Sequence, residues 1–446
     1  MKHLLCPSPT SIEHGAPEDF AWIPISGRCH LRILSSLSTS GNPEKIDLDE
    51  KEFRRRQEHA RVNATAESLR TQYQHVQLVV GIADDDAFGN AVNSRDMSAG
   101  LDDGGAETST DEEEDEEREA KFELQIRGTI DHVGVDGKAE SYVLRVPKGA
   151  APWVLTARDS NGLFYGVQTI LQLIRVCHSY STLWYDGSVE ERHVEGGTLA
   201  GGVRVPVMVV RDAPVLRHRG YMKDISRCRV PTMDELRRMV DLMASLKYNQ
   251  LQLYMECSFA YKDHQEVWEG TSPMLAEEIV SLDAYCHARC IELVPNQNSL
   301  GHMHRWLIHD KYKHLAEQEE GMYHPFAKLP NVKEPFGLNP IDVQSRELVQ
   351  SLHDELTESF NSNKLNVGMD ETVDLGKGKS KEECSKIGKG RVFMNYLMSL
   401  HQNHQKKKHE RGRTMQTQCW ADILHHYPSL MKELPKRRVQ GGQREE

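Results

Sequence analysis

From about Arg211 onward the chain repeats one pattern: a short apolar run, a polar break, then a longer segment whose apolar residues recur every three or four positions. Short strands alternating with amphipathic helices fold as βα units, and successive units lay their strands parallel in one sheet. Tyr221 to Asp224 reads as the first strand, after which Pro231-Thr232 opens a helix with Leu236, Met239, Val240, Met243 and Leu246 on one face. Asn249 to Tyr254 is the second strand, and Ile279, Leu282, Cys286 and Cys290 stripe the following helix. Ile291 to Pro295 is the third, followed by a helix carrying Leu348, Leu352, Leu356 and Phe360. Leu365 to Gly368 is the fourth, a helix covers Val392 to Leu400, and Met415 to Trp420 is the fifth. Residues 211–446 are therefore expected to form a partial (β/α)8 TIM barrel with about five of its strands encoded. A five-stranded open parallel sheet would expose two hydrogen-bonding edges, so something further is expected to complete it.

Residues 1–210 read differently. Phe122, Leu124 and Ile126 alternate with Glu123, Gln125 and Arg127, and Tyr142, Leu144 and Val146 repeat the alternation, as strands with one buried face do. Asp159-Ser160-Asn161-Gly162 is a turn or helix N-cap, followed by Leu163, Tyr165, Ile170, Leu171, Leu173 and Ile174 at helical spacing. We expect an N-terminal α+β domain with an antiparallel sheet, interrupted by a disordered acidic insert around 100–119.

Charge excludes one class of function. The chain carries a net −12, but Asp102, Asp103, Glu107 and the run Asp111 to Glu117, offset by Arg118, account for −9 of it. The remaining body is nearly neutral and lacks the clustered Lys and Arg excess that phosphate backbones require. Nine Cys, an odd number scattered through apolar segments, fit reduced buried thiols rather than a disulfide framework. Cys286 and Cys290 share a helix face at i, i+4 but lack a second ligand pair for zinc. The N-terminal stretch Leu4-Leu5-Cys6 is cut by Pro7 and Pro9, and no run reaches the length of a membrane span. These features predict a cytoplasmic protein; Asn63-Ala64-Thr65 is a glycosylation sequon only if the chain is secreted.

A βα barrel builds its active site where strands end. The polar residues there are Asp224, Glu256, the stretch 296–302, Asp370-Glu371, and Trp420 with Asp422. Gly368-Met369-Asp370-Glu371 follows the apolar Leu365-Asn366-Val367 directly. Adjacent carboxylates leaving a strand point to different sides and so can hold different protonation roles. Gly376-Lys377-Gly378-Lys379-Ser380 ends like a phosphate loop, but the required first Gly falls at Val373, so it reads as an ordinary loop. Lys406-Lys407-Lys408 with Arg411 and Arg413 reads as a solvated helix end.

Three of these motifs together carry a family resemblance. Arg219-Gly220-Tyr221-Met222-Lys223-Asp224-Ile225-Ser226-Arg227, Gly301-His302 and Gly368-Met369-Asp370-Glu371 occur in an order and spacing that resemble glycoside hydrolase family 20, the β-N-acetylhexosaminidases. Gly162 to Leu173 looks like the helix of that family's α+β domain, so the resemblance covers roughly 120–435. It implies removal of terminal N-acetylhexosamine by substrate-assisted retaining hydrolysis, an exception to the two-carboxylate scheme. By resemblance Glu371 is the general acid/base and Asp370 the partner of the sugar's acetamido N–H. His302 lies beside Glu371, Arg219 binds the hydroxyls of the non-reducing sugar, and Trp420 walls the acetamido methyl. Glu371 must act protonated first, which calls for burial and the nearby Asp370 charge. Glu256, at the tip of the second strand, is our own addition to the substrate-binding set, with orientation of His302 as its expected task. No cofactor and no metal is implied, and the expected partner is a carbohydrate with a terminal N-acetylhexosamine, without nucleic acid or membrane, with a homodimer as the candidate assembly.

The chain also departs from the resemblance. Most members carry an acidic Glu-x-Asp and a Pro before the Gly-His, whereas Asn296-Gln297-Asn298-Ser299-Leu300 stands here. Nothing after Pro435 matches the later family strands that supply further aromatic walls. The alternative expectation is a truncated or non-catalytic homologue that binds glycans or serves as a partner-completed scaffold.

Overall fold

The computed structural model of the chain describes residues 138–148, 153–184, 202–227, 229–323, 333–406 and 415–435, together with the backbone of five strands nearer the N-terminus. It divides into two compact units, one of residues 1–217 with 242–247 and 288–290, the other of 218–241, 248–287 and 291–446. The acidic insert, the sequon and Lys407 to Arg413 lie outside the described residues.

The strands of the first unit are β1 (Ser11–His14), β2 (Phe20–Pro24), β3 (Gly27–Leu34), β4 (Val76–Ala83), β5 (Phe122–Arg127), β6 (Tyr142–Val146), β7 (Trp153–Ala157), β8 (Gly202–Pro206) and β9 (Met208–Asp212). Seven pair in the order β1-β9-β6-β7-β5-β3-β4, and β2 pairs separately with β8. The expected antiparallel sheet is corrected to a mixed one: β3 runs parallel to β4 and β5, and β5 to β7, while β6 is antiparallel to β7 and β9. Alternation of apolar residues reports a buried face but not strand direction. Parallel pairing needs a long crossover, and the stretches 35–75 and 84–121 are long enough for one. Helix α1 (Ser160–Trp184) starts where Asp159 Oδ1 accepts the Gly162 N–H at 2.8 Å. Its Phe164, Val167, Ile170 and Leu171 are buried, as are Leu144, Trp153 and Leu155 of the sheet.

The second unit contains β10 (Gly220–Asp224), β11 (Gln250–Tyr254), β12 (Glu292–Val294), a short ribbon of β13 (Met322–Tyr323) and β14 (Lys333–Glu334), then β15 (Lys364–Asn366) and β16 (Gln416–Gln418). Strands β10, β11 and β12 pair in parallel, as do β15 and β16. The two groups join where Asn366 N donates to Pro295 O at 2.9 Å and Gln297 N to Asn366 O at 3.0 Å. The spatial order among the described residues is thus β10-β11-β12-β15-β16, with all C-terminal tips at one end. The sheet is curved, because Gln252 of β11 reaches the non-adjacent Gln418 of β16 at 2.9 Å.

Helices α2 (Met233–Ser245), α3 (Ala276–His287), α4 (Val343–Thr357) and α5 (Lys389–Lys406) fall between these strands in sequence. Leu236, Val240 and Met243 of α2 are buried at i, i+4 and i+7; full burial of such a side chain stabilises by about 1.5–3 kcal/mol. Two expectations shift in detail. The buried stripe of α4 runs through Val349, Leu352 and Leu356 rather than Leu348, with Phe360 buried beyond the helix end. Cys286 and Cys290 do not share a helix face, because α3 stops at His287 and Cys290 adopts φ 58° outside it.

Candidate active site

Because the five strands are parallel, the residues just beyond Asp224, Tyr254, Val294, Asn366 and Gln418 gather at one end of the sheet. The loop after β15 is tightly bent: Gly368, Met369 and Glu371 all have positive φ (64°, 70° and 46°), and His302 has φ 55°. Non-glycine residues in this region cost on the order of 1 kcal/mol or more each, and such outliers cluster at functional sites. The crowding demands glycine at two places. A Cβ on Gly301 would meet the Asp370 carbonyl oxygen at 2.5 Å, and one on Gly368 would meet Asn298 Oδ1 at 2.5 Å.

His302 is the centre of the cluster. Its Nε2 lies 3.1 Å from Glu371 Oε2 and 3.4 Å from Asp370 Oδ2, and its Nδ1 lies 3.4 Å from Glu256 Oε1. Carboxylates face both ring nitrogens, which suits the doubly protonated ring. Burial opposes the charge on His302, but the hydrogen bond and charge of Asp370, then the charge of Glu256, raise its pKa overall. Asp370 responds reciprocally: against its own burial, His302 and the Asn298 amide hold its carboxyl below the usual range. Phe336 packs edge-on against the imidazole at 5.0 Å and keeps the ring in place.

The two neighbouring carboxylates differ in environment. The Asp370 side chain is mostly buried, whereas that of Glu371 is 46% exposed. The burial expected for Glu371 is therefore not present, and its main-chain N–H donates to Asp422 Oδ2 at 3.2 Å. Trp420, 40% exposed, follows β16, and its main-chain N–H donates to Gly368 O at 3.0 Å, which ties the end of β16 to the loop that carries Asp370.

Two of the expected substrate-binding residues stand apart from the others. The main chain of Arg219 lies at the opposite end of the sheet: it precedes β10, its N–H donates to Asn249 Oδ1 at 2.8 Å, and its carbonyl accepts from Asn249 N. At a strand rise of about 3.3 Å per residue it is roughly 16 Å from Asp224 along the strand. Arg227, three residues past the tip of β10, stands in the cluster instead. Its Nη1 donates to Glu256 Oε1, its Nε is 3.9 Å from Asp224 Oδ2, and its guanidinium sits over the Tyr254 ring. The signal was present in the sequence, since Arg227 follows the strand's C-terminal end and Arg219 precedes its start. Glu256 is not open to a sugar, being 1% exposed, and burial, eased by Arg227, raises its carboxyl pKa. Its Oε1 also accepts from Tyr254 OH at 2.9 Å, and it sits behind the His302 ring, on the Nδ1 side. Tyr254 was missed and Asn298 was given no role of its own; Asn298 Nδ2 donates to Tyr254 OH and to Asp370 Oδ1, both at 2.8 Å.

Among the described residues, His302, Asp370 and Glu371 are the group of three whose ligand-capable atoms converge within 4.8 Å, and their mutual hydrogen bonding accounts for the convergence. The loop 376–380 binds an internal carboxylate in place of any phosphate. Glu317 accepts from Gly378 N at 2.9 Å, Ser380 N at 3.0 Å and Ser380 Oγ at 2.8 Å, using up the donors. No helix among the described residues is long and apolar enough to cross a membrane.

The family profile described as glycosyl hydrolase family 20, catalytic domain, matches residues 216–440, half of the chain. A beta-hexosaminidase of Akkermansia muciniphila is 27% identical over 184 residues, 37% of this chain and 32% of that protein. The chitobiase of Flavobacterium johnsoniae superposes with a TM-score of 0.59 at 20% identity, covering 94% of this chain and 52% of that one. A mutant Streptomyces plicatus beta-hexosaminidase in complex with product (GlcNAc) superposes with a TM-score of 0.58 at 18% identity, covering 94% and 66%. These structural likenesses establish the fold, and the chain spans less than two thirds of each relative's length. Half of its residues and the whole cluster around His302 fall inside one matched domain, and the chain belongs to glycosyl hydrolase family 20.

Proposed function

We propose that the protein is an exo-acting β-N-acetylhexosaminidase that releases terminal GlcNAc or GalNAc by substrate-assisted retaining catalysis, its five described parallel strands forming part of a (β/α)8 barrel. One observation carries the reading: Asp370 and Glu371, adjacent in sequence, converge on His302 Nε2 while differing sharply in exposure. Two carboxyl groups in unlike environments can divide ionic and acidic roles.

The reaction follows from that division. The acetamido carbonyl oxygen attacks C1 as the C1–O bond to the leaving group breaks, and Glu371 gives its proton to the departing oxygen. Asp370 accepts the acetamido N–H and balances the positive charge that develops on the oxazolinium ring. Glu371, now a carboxylate, takes a proton from water as the water oxygen attacks C1, which reopens the ring with retained configuration. His302 holds both carboxylates in register, and Glu256 holds His302. Arg227 offers donors to vicinal sugar hydroxyls, and Trp420 lays flat apolar area against the acetamido methyl.

The test is Glu371→Gln in the full chain. Turnover of 4-nitrophenyl N-acetyl-β-glucosaminide is expected to fall by about 10²–10⁴-fold, the usual contribution of a general acid/base, while affinity for GlcNAc-thiazoline survives. Undiminished turnover would sink the assignment. Thiazoline binding without turnover in the unmodified chain would favour the glycan-binding alternative.

A further inference from the structure

The carboxylate of Asp370 is gripped by an amide as well as by an imidazole. Asn298 is fully buried, and its Oδ1 accepts the main-chain N–H groups of Ser299 and Met369, both at 3.0 Å. Two main-chain donors on the oxygen settle which end of the amide faces Asp370. The NH2 end must, and it donates at 2.8 Å to Asp370 Oδ1 and at 2.8 Å to Tyr254 OH. Tyr254 in turn donates to Glu256, which carries Arg227 on the same oxygen. A continuous hydrogen-bonded relay therefore runs from the Arg227 guanidinium through Glu256, Tyr254 and Asn298 to Asp370.

We propose that Asn298 is a positioning residue for Asp370: its buried amide, locked by two main-chain N–H groups and Tyr254, fixes the carboxylate by donating to Oδ1 and aims Oδ2 at His302 and the acetamido N–H. The part of this statement that concerns substrate rests on the hexosaminidase reading. An amide suits the task because an aspartate here would set a second carboxylate at hydrogen-bond distance from the first, and like charges that close cannot both ionise. Asn296 continues the neutral wall, its Nδ2 donating to Gln252 Oε1 at 3.1 Å. The charged and titratable groups facing Asp370 are His302 at 3.4 Å, its neighbour Glu371, Glu256 behind the imidazole, Tyr254 across Asn298, Arg227 over the Tyr254 ring, and Asp422 on the Glu371 N–H. With Asn298 neutral, the nearest partner of Asp370 that carries charge is the cationic form of His302.

The experiment is Asn298→Asp, read in two ways on the full chain. The first is the titration of the Asp370 carboxyl by γ-13C-aspartate NMR, identified by difference against Asp370→Asn. We expect its midpoint to rise by about two pH units in Asn298→Asp, as in other close carboxyl pairs. The second is the pH profile of GlcNAc-thiazoline affinity, expected to weaken at least about tenfold at pH 5 and to recover towards pH 8. A residue that only packs would lower affinity equally at all pH. An unmoved Asp370 midpoint would overturn the proposal. If the unmodified chain binds no thiazoline, the hexosaminidase reading fails, and the carboxyl titration still decides the role of Asn298. Should Asn298→Asp not fold, Asn298→Ala removes the donor without adding charge; a smaller upward shift of the same midpoint is expected, and no shift overturns the proposal.

Discussion

Exchanging Arg227 for lysine separates what the tertiary structure assigns from what the motif alone suggests. The Arg227 guanidinium is 53% exposed and spends one of its five donors on Glu256. Lysine keeps a positive charge beside the buried Glu256, so that carboxylate is not left unpaired, and trading one hydrogen-bonding cation for another there should cost about 1 kcal/mol. The melting temperature of the unit should therefore move by no more than about 2–4 °C. Lysine cannot, however, span two vicinal hydroxyls with a rigid fork. Losing one hydrogen bond from a charged donor costs about 1.5–3 kcal/mol, which is roughly a 10- to 150-fold loss in kcat/KM. The assay is kcat/KM for 4-nitrophenyl N-acetyl-β-glucosaminide, with GlcNAc-thiazoline affinity alongside. Arg219→Lys is the control: at the far end of β10, bonded to Asn249, it should change kcat/KM by less than about twofold. A large loss in Arg219→Lys with Arg227→Lys unaffected would refute the placement of the sugar at the C-terminal tips.

Two further perturbations test the packing around the site. Gly301→Ala puts a Cβ 2.5 Å from the Asp370 carbonyl oxygen, so it should cost about 1–3 kcal/mol in a urea melt and abolish thiazoline binding; a variant that binds normally would show that the loop has room. Buried His353 has its pKa held well below the ordinary value by burial and by the neighbouring His404, 3.2 Å away. The unfolded chain then binds more protons than the folded one below about pH 6.5, so stability should fall as pH drops through that point. His353→Gln should flatten the fall in melting temperature between pH 7 and pH 5, and an unchanged slope would reject the account.

Local sequence was enough for the five parallel strands and the four long helices of the second unit because their apolar periods are unambiguous, though not for the β13–β14 ribbon. β11 alternates buried leucines, Leu251 and Leu253, with inward amides, and α2 shows its stripe at Leu236, Val240 and Met243. The pairing of Asp370 with Glu371 after a strand, and the Gly-His before them, were legible for the same reason: chemistry-bearing residues stood where parallel strands end. Direction in the first sheet was not legible, since alternation is the same for parallel and antiparallel neighbours and only long-range pairing decides between them.

Roles within the site divide along the same line. The sequence by itself determined that Asp370, Glu371, His302 and Trp420 follow strand ends, because strand length and side-chain alternation are local properties. Strand polarity sets the main chains of Arg219 and Arg227 at opposite ends of β10, and tertiary structure alone decided that the Arg227 side chain meets Glu256 and the Tyr254 ring. It alone also sealed Glu256 behind His302 and turned the Asn298 amide towards Asp370. Those outcomes depend on which groups from distant segments fill the same small volume, and no local pattern encodes that.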